Sequence, residues 1–187
     1  MSYAIPTNEL TLTDRKVFIN NAIEAGIARA LSLGIARNKE ELVAREAHPG
    51  TDFSLPGAVG WTNEYYVTQG AAANLAWALV FDTNAACQLP RTAVAVFYKI
   101  MDADADPVTT AVRFRLGVTG ATTLASFFIQ QFIDIKLESE VYLSEPVVYS
   151  PEDWLFIEHY GRAATGADGE ELSFGCFVIE RTGGTVS

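Results

Sequence analysis

Two histidines are the side chains of this sequence best suited to act as a general base near neutral pH. His48 precedes Pro49 in a loop-like segment, and His159 lies within an apparent strand. Nucleophilic catalysis needs a base beside the nucleophile and a third group that orients the base. The Gly-x-Ser-x-Gly turn that often presents a serine nucleophile is missing from the sequence. We therefore predict no catalytic residues and a protein that is not an enzyme.

Three aspartates, Asp102, Asp104 and Asp106, have the alternate spacing with which a calcium-binding EF-hand loop begins. That loop requires a glycine after the third acidic position and a bidentate glutamate at its end. Pro107 and Arg113 occupy those two places. We interpret the aspartates as an acidic turn between strands, and we predict neither a metal site nor a cofactor.

The candidate binding residues lie in and just after a segment rich in proline and glycine. Exposed aromatic side chains can anchor a protein interface or stack on sugar rings, and they also pack into sandwich cores. All three interpretations stay open for the Trp and Tyr residues of this segment. We take the whole group as a candidate protein interface. It consists of Phe53, Leu55, Trp61, Tyr65 and Tyr66.

The composition is apolar and acidic, with 49% hydrophobic residues, 19% charged residues and a formal net charge of −10. This balance predicts an ordered core, and the negative field repels nucleic-acid phosphates and anionic lipids. The two cysteines have no metal-binding spacing and are expected to be buried free thiols. Neither a signal peptide nor an apolar run of membrane-spanning length is evident. We expect synthesis in the cytoplasm and no binding to nucleic acid or membrane.

A helical pattern runs from residue 13 to about residue 47. Thr13 is the expected N-cap, and Gly34 is expected to end the first helix. A short second helix is predicted from Asn38, which forms a capping-box-like pair with Glu41. The apolar residues of the first helix recur at three- and four-residue steps. They are Ile19, Ile23, Ile27, Ala30 and Leu31.

From Trp61 to Arg181 the hydrophobic period changes to two, which indicates strands with one buried face. Polar turns separate these runs, and too little chain lies between them for the helices of a parallel sheet. Arg113 and Arg115 alternate with apolar neighbours and are expected on a solvated outer face. Leu124–Phe132 fits either a bulged strand or a helix, and the context favours the strand.

These patterns predict a mainly β fold, namely an antiparallel β-sandwich, jelly-roll-like, with an N-terminal helical segment. The expected organisation is an extended tail (1–12), a helical arm (13–47), a connecting loop (48–60), a β-sandwich domain (61–181) and a flexible tail (182–187).

One pattern near the C-terminus is familiar. It runs Leu137-Glu-Ser-Glu140, Tyr142, Ser144-Glu-Pro-Val-Val-Tyr149, a strand over Trp154–Tyr160 and a closing Gly175-Cys-Phe-Val-Ile-Glu-Arg181. This stretch resembles the C-terminal half of small structural proteins encoded near the capsid genes of tailed bacteriophages. Capsid decoration (cement) proteins are the members of that class that fit best in size and layout. The helical segment has no counterpart that we can match in them.

The resemblance implies a structural virion protein at the capsid exterior. Such a protein stabilises the shell by binding the lattice of the major capsid protein, commonly as a homotrimer. The alternatives are another virion part (a head–tail connector, a tail or a fibre subunit) and a carbohydrate-binding β-sandwich module. We expect the arm and the 48–60 loop to contact neighbouring subunits. The alternative for the arm is a helix that covers its own sandwich.

Overall fold

The computed structural model describes residues 3–47, 67–69, 75–80, 88–102, 104, 107–117, 119–129, 140–163 and 170–182. Within these ranges one α-helix and ten strands form three layers. No helix there combines the length and the hydropathy that a membrane-spanning segment requires. The elements are β1 (Ala4–Pro6), α1 (Leu12–Ser32), β2 (Leu42–Ala47), β3 (Val67–Gln69), β4 (Trp77–Leu79), β5 (Ala93–Asp102), β6 (Thr109–Leu116), β7 (Thr122–Phe128), β8 (Glu140–Tyr149), β9 (Phe156–Gly161) and β10 (Glu170–Arg181).

The strands form two sheets, and every described strand pair is antiparallel. The larger sheet has the order β1-β8-β5-β10-β2, and β3 also pairs with β10. The smaller sheet has the order β4-β9-β6-β7. The series β2-β10-β5-β8 and β4-β9-β6-β7 are the strand orders of the two four-stranded sheets of a jelly roll. The predicted fold class is confirmed.

The main core lies between the two sheets. Phe97 of β5 packs at 5.4 Å, ring centroid to ring centroid, from Phe114 of β6. Tyr149 of β8 is fully buried, and its hydroxyl donates a hydrogen bond to the carbonyl of Arg115 at 3.0 Å. Because the phenol has left water, the pKa of Tyr149 is raised. The bond joins the larger sheet to the smaller one at the centre of the sandwich.

Helix α1 covers the outer face of the larger sheet. Its buried side includes Ala22, Gly26 and Ala30, which lie against β5, β8 and β10. The apolar residues beneath it, among them Val96 and Ile179, are fully buried. Helix α1 therefore covers its own sandwich, which is the alternative that we gave for the arm.

The ends of α1 are set by local hydrogen bonds. Thr11, rather than Thr13, is the N-cap, because its side chain accepts a bond from the Asp14 amide while the Asp14 carboxylate accepts one from the Thr11 amide. At the other end Gly34 has φ +72°, and the Ile35 amide bonds the Ala30 carbonyl at 3.1 Å. This is a Schellman cap, so the prediction that Gly34 ends the helix is confirmed.

Two of the predicted boundaries are wrong. The second helix is only a 3₁₀ turn at Lys39–Glu41, and β2 follows it and pairs with β10 from Leu42 to Ala47. The extended tail contributes β1, which pairs with β8 and places Thr7 so that its hydroxyl bonds the Glu140 carbonyl at 2.9 Å. The domain therefore begins near residue 4 and not at residue 61.

The ambiguous stretch after residue 122 is a strand with a bulge. Ala125 of β7 pairs with Phe114, and Thr123 pairs with Arg115, so Leu124 is the extra residue. The favoured interpretation is confirmed as far as Phe128, and residues 130–132 lie outside the described part of the chain.

Candidate functional site

The five candidate interface residues lie outside the described part of the chain. These residues are Phe53, Leu55, Trp61, Tyr65 and Tyr66. The predicted connecting loop at 48–60, which includes His48, lies outside it as well, as do Cys87, Asp106 and residues 183–187. The site is therefore built from other residues.

The remaining histidine lies in the core. His159 of β9 is fully buried on the inner face of the smaller sheet, and its Nδ1 lies 3.0 Å from the Thr109 hydroxyl. Cys176 is buried, as expected for this cysteine. A substrate on the surface of the domain would not reach either side chain.

The described aspartates of the Asp102–Asp106 series form a turn. Asp102 ends β5 with a buried side chain, and its Oδ1 accepts a hydrogen bond from the Asp104 amide at 3.1 Å. This is the local bonding that aspartate provides at the start of a turn. In the described residues, no three His, Cys, Asp or Glu side chains come together in a way that would hold a metal ion.

The outer face of the smaller sheet carries a row of aromatic side chains. Trp77 pairs with Tyr160, Tyr160 pairs with Ala111, and Ala111 pairs with Phe128. The row therefore crosses all four strands. Its third position is occupied by the methyl group of Ala111 and not by an aromatic ring. Trp77 and Tyr160 lie 5.4 Å apart between ring centroids. Above Ala111 is a hollow of about 500 Å³, which we call the slot; it is lined by Trp77, Thr110, Ala111, Phe128, Tyr160 and Arg162.

A β-bulge in β6 shapes the slot. Thr109 pairs with Gly161 and Ala111 pairs with Tyr160, so Thr110 is the extra residue on β6. The Thr110 hydroxyl closes the bulge by donating to the Tyr160 carbonyl at 3.1 Å. Bulges re-aim side chains and are common beside functional sites. Here the bulge allows both Thr110 and Ala111 to line the same hollow.

Beside the slot, Glu158 of β9 lies between two arginines of β6. Arg113 bonds both carboxylate oxygens, at 2.6 and 3.0 Å, and Arg115 adds a third bond at 3.0 Å. The guanidinium carbon of Arg113 also lies 3.9 Å from the centroid of a Trp77 ring. The arginines are on the outer face as predicted, but the expectation that they are solvated is wrong, because their side chains are only 24% and 21% exposed.

The two arginines determine the protonation of Glu158. Burial alone would raise the pKa of this carboxyl, but the hydrogen bonds and charges of Arg113 and Arg115 outweigh burial and hold the pKa below its ordinary value. Glu158 therefore stays ionised at neutral pH. It neutralises one guanidinium charge and leaves the pair with a net positive charge.

The second feature is an apolar groove where β7 and β1 form neighbouring edges of the two sheets. Phe128 is 77% exposed, Tyr3 60% and Leu124 40%. The groove has a volume of about 830 Å³, and Phe128 separates it from the slot. We call it the β7 groove; it is lined by Tyr3, Ala4, Thr123, Leu124, Ala125, Ser126 and Phe128.

Sequence reasoning did not predict the slot or the β7 groove. Period-two patterning places Trp77, Tyr160 and Phe128 on strands, but it does not tell which strands are neighbours. The row exists only because β9 and β6 lie side by side with a particular register.

Comparison of the sequence with protein-family models gave no match, and comparison with curated proteins gave none either.

Proposed function

We propose that this protein is a structural virion subunit, a capsid decoration protein that binds the outside of an assembled tailed-phage shell through the β7 groove. The proposal rests on the exposure of Phe128. This residue is the most exposed large apolar side chain of the described residues, and it lies on an edge strand beside an apolar groove. Exposed aromatic residues that can enter a partner's pocket are the commonest anchors of protein interfaces. The resemblance of residues 137–181 directs the proposal to a phage capsid.

The edge position of β7 suits the binding of a protein. Within the described residues β7 pairs only with β6, so the backbone amides and carbonyls along its other side are available to a further strand. An extended segment of a capsid protein would add to β7 and place alternate side chains in the groove. Tyr3 and Leu124 would then cover the added segment from both sheets.

The architecture supports the same role. Jelly rolls with this strand order are widely used in viral capsid and lectin domains, although a fold alone does not assign a function. The net charge of −10 favours a surface that does not trap nucleic acid during assembly. The arm is a weaker candidate for subunit contacts than the β7 groove, because its apolar side already packs against the larger sheet.

Co-sedimentation with shells that lack this chain tests the proposal. The wild-type protein should pellet with such shells, and Phe128→Ser should weaken that binding by about tenfold or more, as expected for the loss of an interface anchor. Leu12→Ser is the matched control, because Leu12 is 75% exposed on α1, away from the groove. Equal binding of the wild type and Phe128→Ser, or no binding by the wild type, would refute the proposal.

Subunit number separates this role from the other virion parts. A decoration protein at a local threefold axis is proposed to be a homotrimer, whereas a connector or tail ring has sixfold or twelvefold order. Native mass spectrometry of the purified protein should give three chains. Each contact should bury about 800 Å² per subunit or more, as in other specific interfaces.

A further inference from the structure

We infer that the slot on the smaller sheet binds a six-membered sugar ring that carries a carboxylate, such as a hexuronate residue of an acidic glycan. The inference goes beyond the role in the shell, because the slot and the β7 groove are separate hollows that share only Phe128 among their lining residues. It rests on three features of the slot: its width, its aromatic walls and its charge.

The width follows from the sheet geometry. Tyr160 and Phe128 flank Ala111 on the two neighbouring strands, so their backbones are two strand spacings apart, about 9.6 Å. A ring held in van der Waals contact on both faces needs about 7–8 Å between the walls. Since the floor is a methyl group, one ring can enter between Tyr160 and Phe128 from the surface.

The walls provide the contacts that a sugar ring uses. The C–H groups of a pyranose carry a slight positive charge and pack against the negative faces of aromatic rings. The ring of Tyr160 packs against Trp77 with an angle of 58° between the ring planes, and the guanidinium group of Arg113 packs over a ring of Trp77. The aromatic wall is thereby supported before a ligand arrives, which lowers the cost of ordering it on binding.

The charge of this face selects an acid. Arg113 and Arg115 share the carboxylate of Glu158 beside the slot, and Arg162 adds a third guanidinium group at the slot itself. Arg162 lines the slot, and its side chain has no carboxylate partner in the described ranges. A guanidinium binds a carboxylate through two parallel hydrogen bonds, so Arg162 is the expected partner of the sugar acid.

The overall negative charge of the protein does not prevent such binding. Its formal net charge is −10, which repels a distant polyanion. At physiological ionic strength the screening length is about 8 Å, so Arg162 in the slot and the two arginines beside it outweigh acidic residues farther away on the surface. A single carboxylate held at short range is therefore favoured over a long phosphate backbone.

Calorimetric titration of the full-length protein tests the inference with four probes: trigalacturonate, trimannuronate, a hyaluronan hexasaccharide and neutral galactotriose. At least one of the three hexuronate probes should bind, and at least tenfold more tightly than galactotriose. Ala111→Leu should weaken that binding at least tenfold, because the larger side chain fills the slot. Arg162→Gln should reduce the affinity for the acid about tenfold and remove the preference over the neutral sugar.

Ala28→Leu is the matched control, since it makes the same replacement at an exposed position of α1 that lines neither the slot nor the β7 groove. It should leave the affinity unchanged. Ala111 is buried beneath the slot, but it belongs to neither core cluster and its methyl group lines the slot, so Ala111→Leu should stay folded, which a cooperative thermal transition will show. Failure of all three hexuronate probes to bind would overturn the inference. Equal affinity for galactotriose, or undiminished binding by folded Ala111→Leu, would overturn it as well.

Discussion

Glu158 shows how one side chain sets the chemistry of the outer face. Its carboxylate accepts three hydrogen bonds from two arginines, and Arg113 in turn packs on Trp77. Removal of the carboxylate would leave two adjacent positive charges that are only partly exposed, an arrangement that proteins avoid. The aromatic row therefore depends on the charge balance beside it.

The lowered pKa of Glu158 predicts an acid-dependent contribution to stability. A carboxyl whose pKa is lower in the folded state stabilises the protein above its ordinary pKa, 4.5, and this contribution is lost as the pH falls through the lowered value. Glu158→Gln should reduce the free energy of unfolding at pH 7 by about 1–3 kcal/mol, the usual cost of leaving charged hydrogen-bond donors without their acceptor. The difference from the wild type should shrink in acid.

Urea unfolding at pH 7 and in acid measures this difference. Glu24→Gln is the control, because Glu24 is exposed on α1 and should contribute little at either pH. A difference between Glu158→Gln and the wild type that is the same at both pH values would contradict the assignment.

Some of this residue-level detail could be predicted from the sequence. The alternation of Arg113 and Arg115 with apolar neighbours correctly assigned them to an outer face. Their burial could not be predicted, because Glu158 is distant in sequence and reaches them only through the pairing of β9 with β6. No sequence pattern indicated that Arg162 and Ala111 would line a surface hollow.

At the scale of elements, α1 packs closely on the larger sheet at Gly26. A methyl group on Gly26 would lie 2.6 Å from side-chain carbons of both Val96 and Ile179, which are fully buried and have little room to move. Glycine is therefore required at this position although it disfavours a helix. The side chains beneath α1 would otherwise form an exposed apolar face.

Gly26→Ala should therefore destabilise the protein. Overpacking costs about 1–3 kcal/mol and outweighs the gain in helix propensity of about 1 kcal/mol. Asn21→Ala is the matched control, because Asn21 is exposed on the same helix and its replacement brings only the propensity gain. Thermal or urea unfolding of the two variants checks the prediction. If Gly26→Ala stabilised the protein as much as Asn21→Ala does, the close contact would not exist in solution.

The elements differ in how far their sequences specify them. For the first helix, the apolar pattern correctly predicted a helix and Gly34 correctly predicted its end. The buried side is centred on Ala22, Gly26 and Ala30, however, and of these only Ala30 belongs to the predicted stripe. Residues 42–47 contain alanine and glutamate, which favour a helix, yet they form β2 because pairing with β10 satisfies their backbone. At Leu42–Ala47, tertiary pairing overrode local preference.

At the scale of the whole molecule, the jelly-roll order brings the two candidate binding surfaces next to each other. The outer face of the larger sheet is covered by α1, whereas the smaller sheet carries the slot and its β7 edge forms the β7 groove with β1. The class of fold followed from period-two runs and polar turns. The strand order could not be predicted, because the alternation shows which face of a sheet a residue lies on but not which strands are neighbours. The two hollows beside Phe128 depend on that order.

We propose that this chain is a shell component that binds through the β7 side. Electron cryo-microscopy of phage particles purified from cells that make the chain should show a jelly roll on the outer surface at threefold positions. Phe128 and Leu124 should lie against a capsid protein, and α1 should lie away from it. Particles without the chain, or a bound chain whose β7 side faces solvent, would rule this role out.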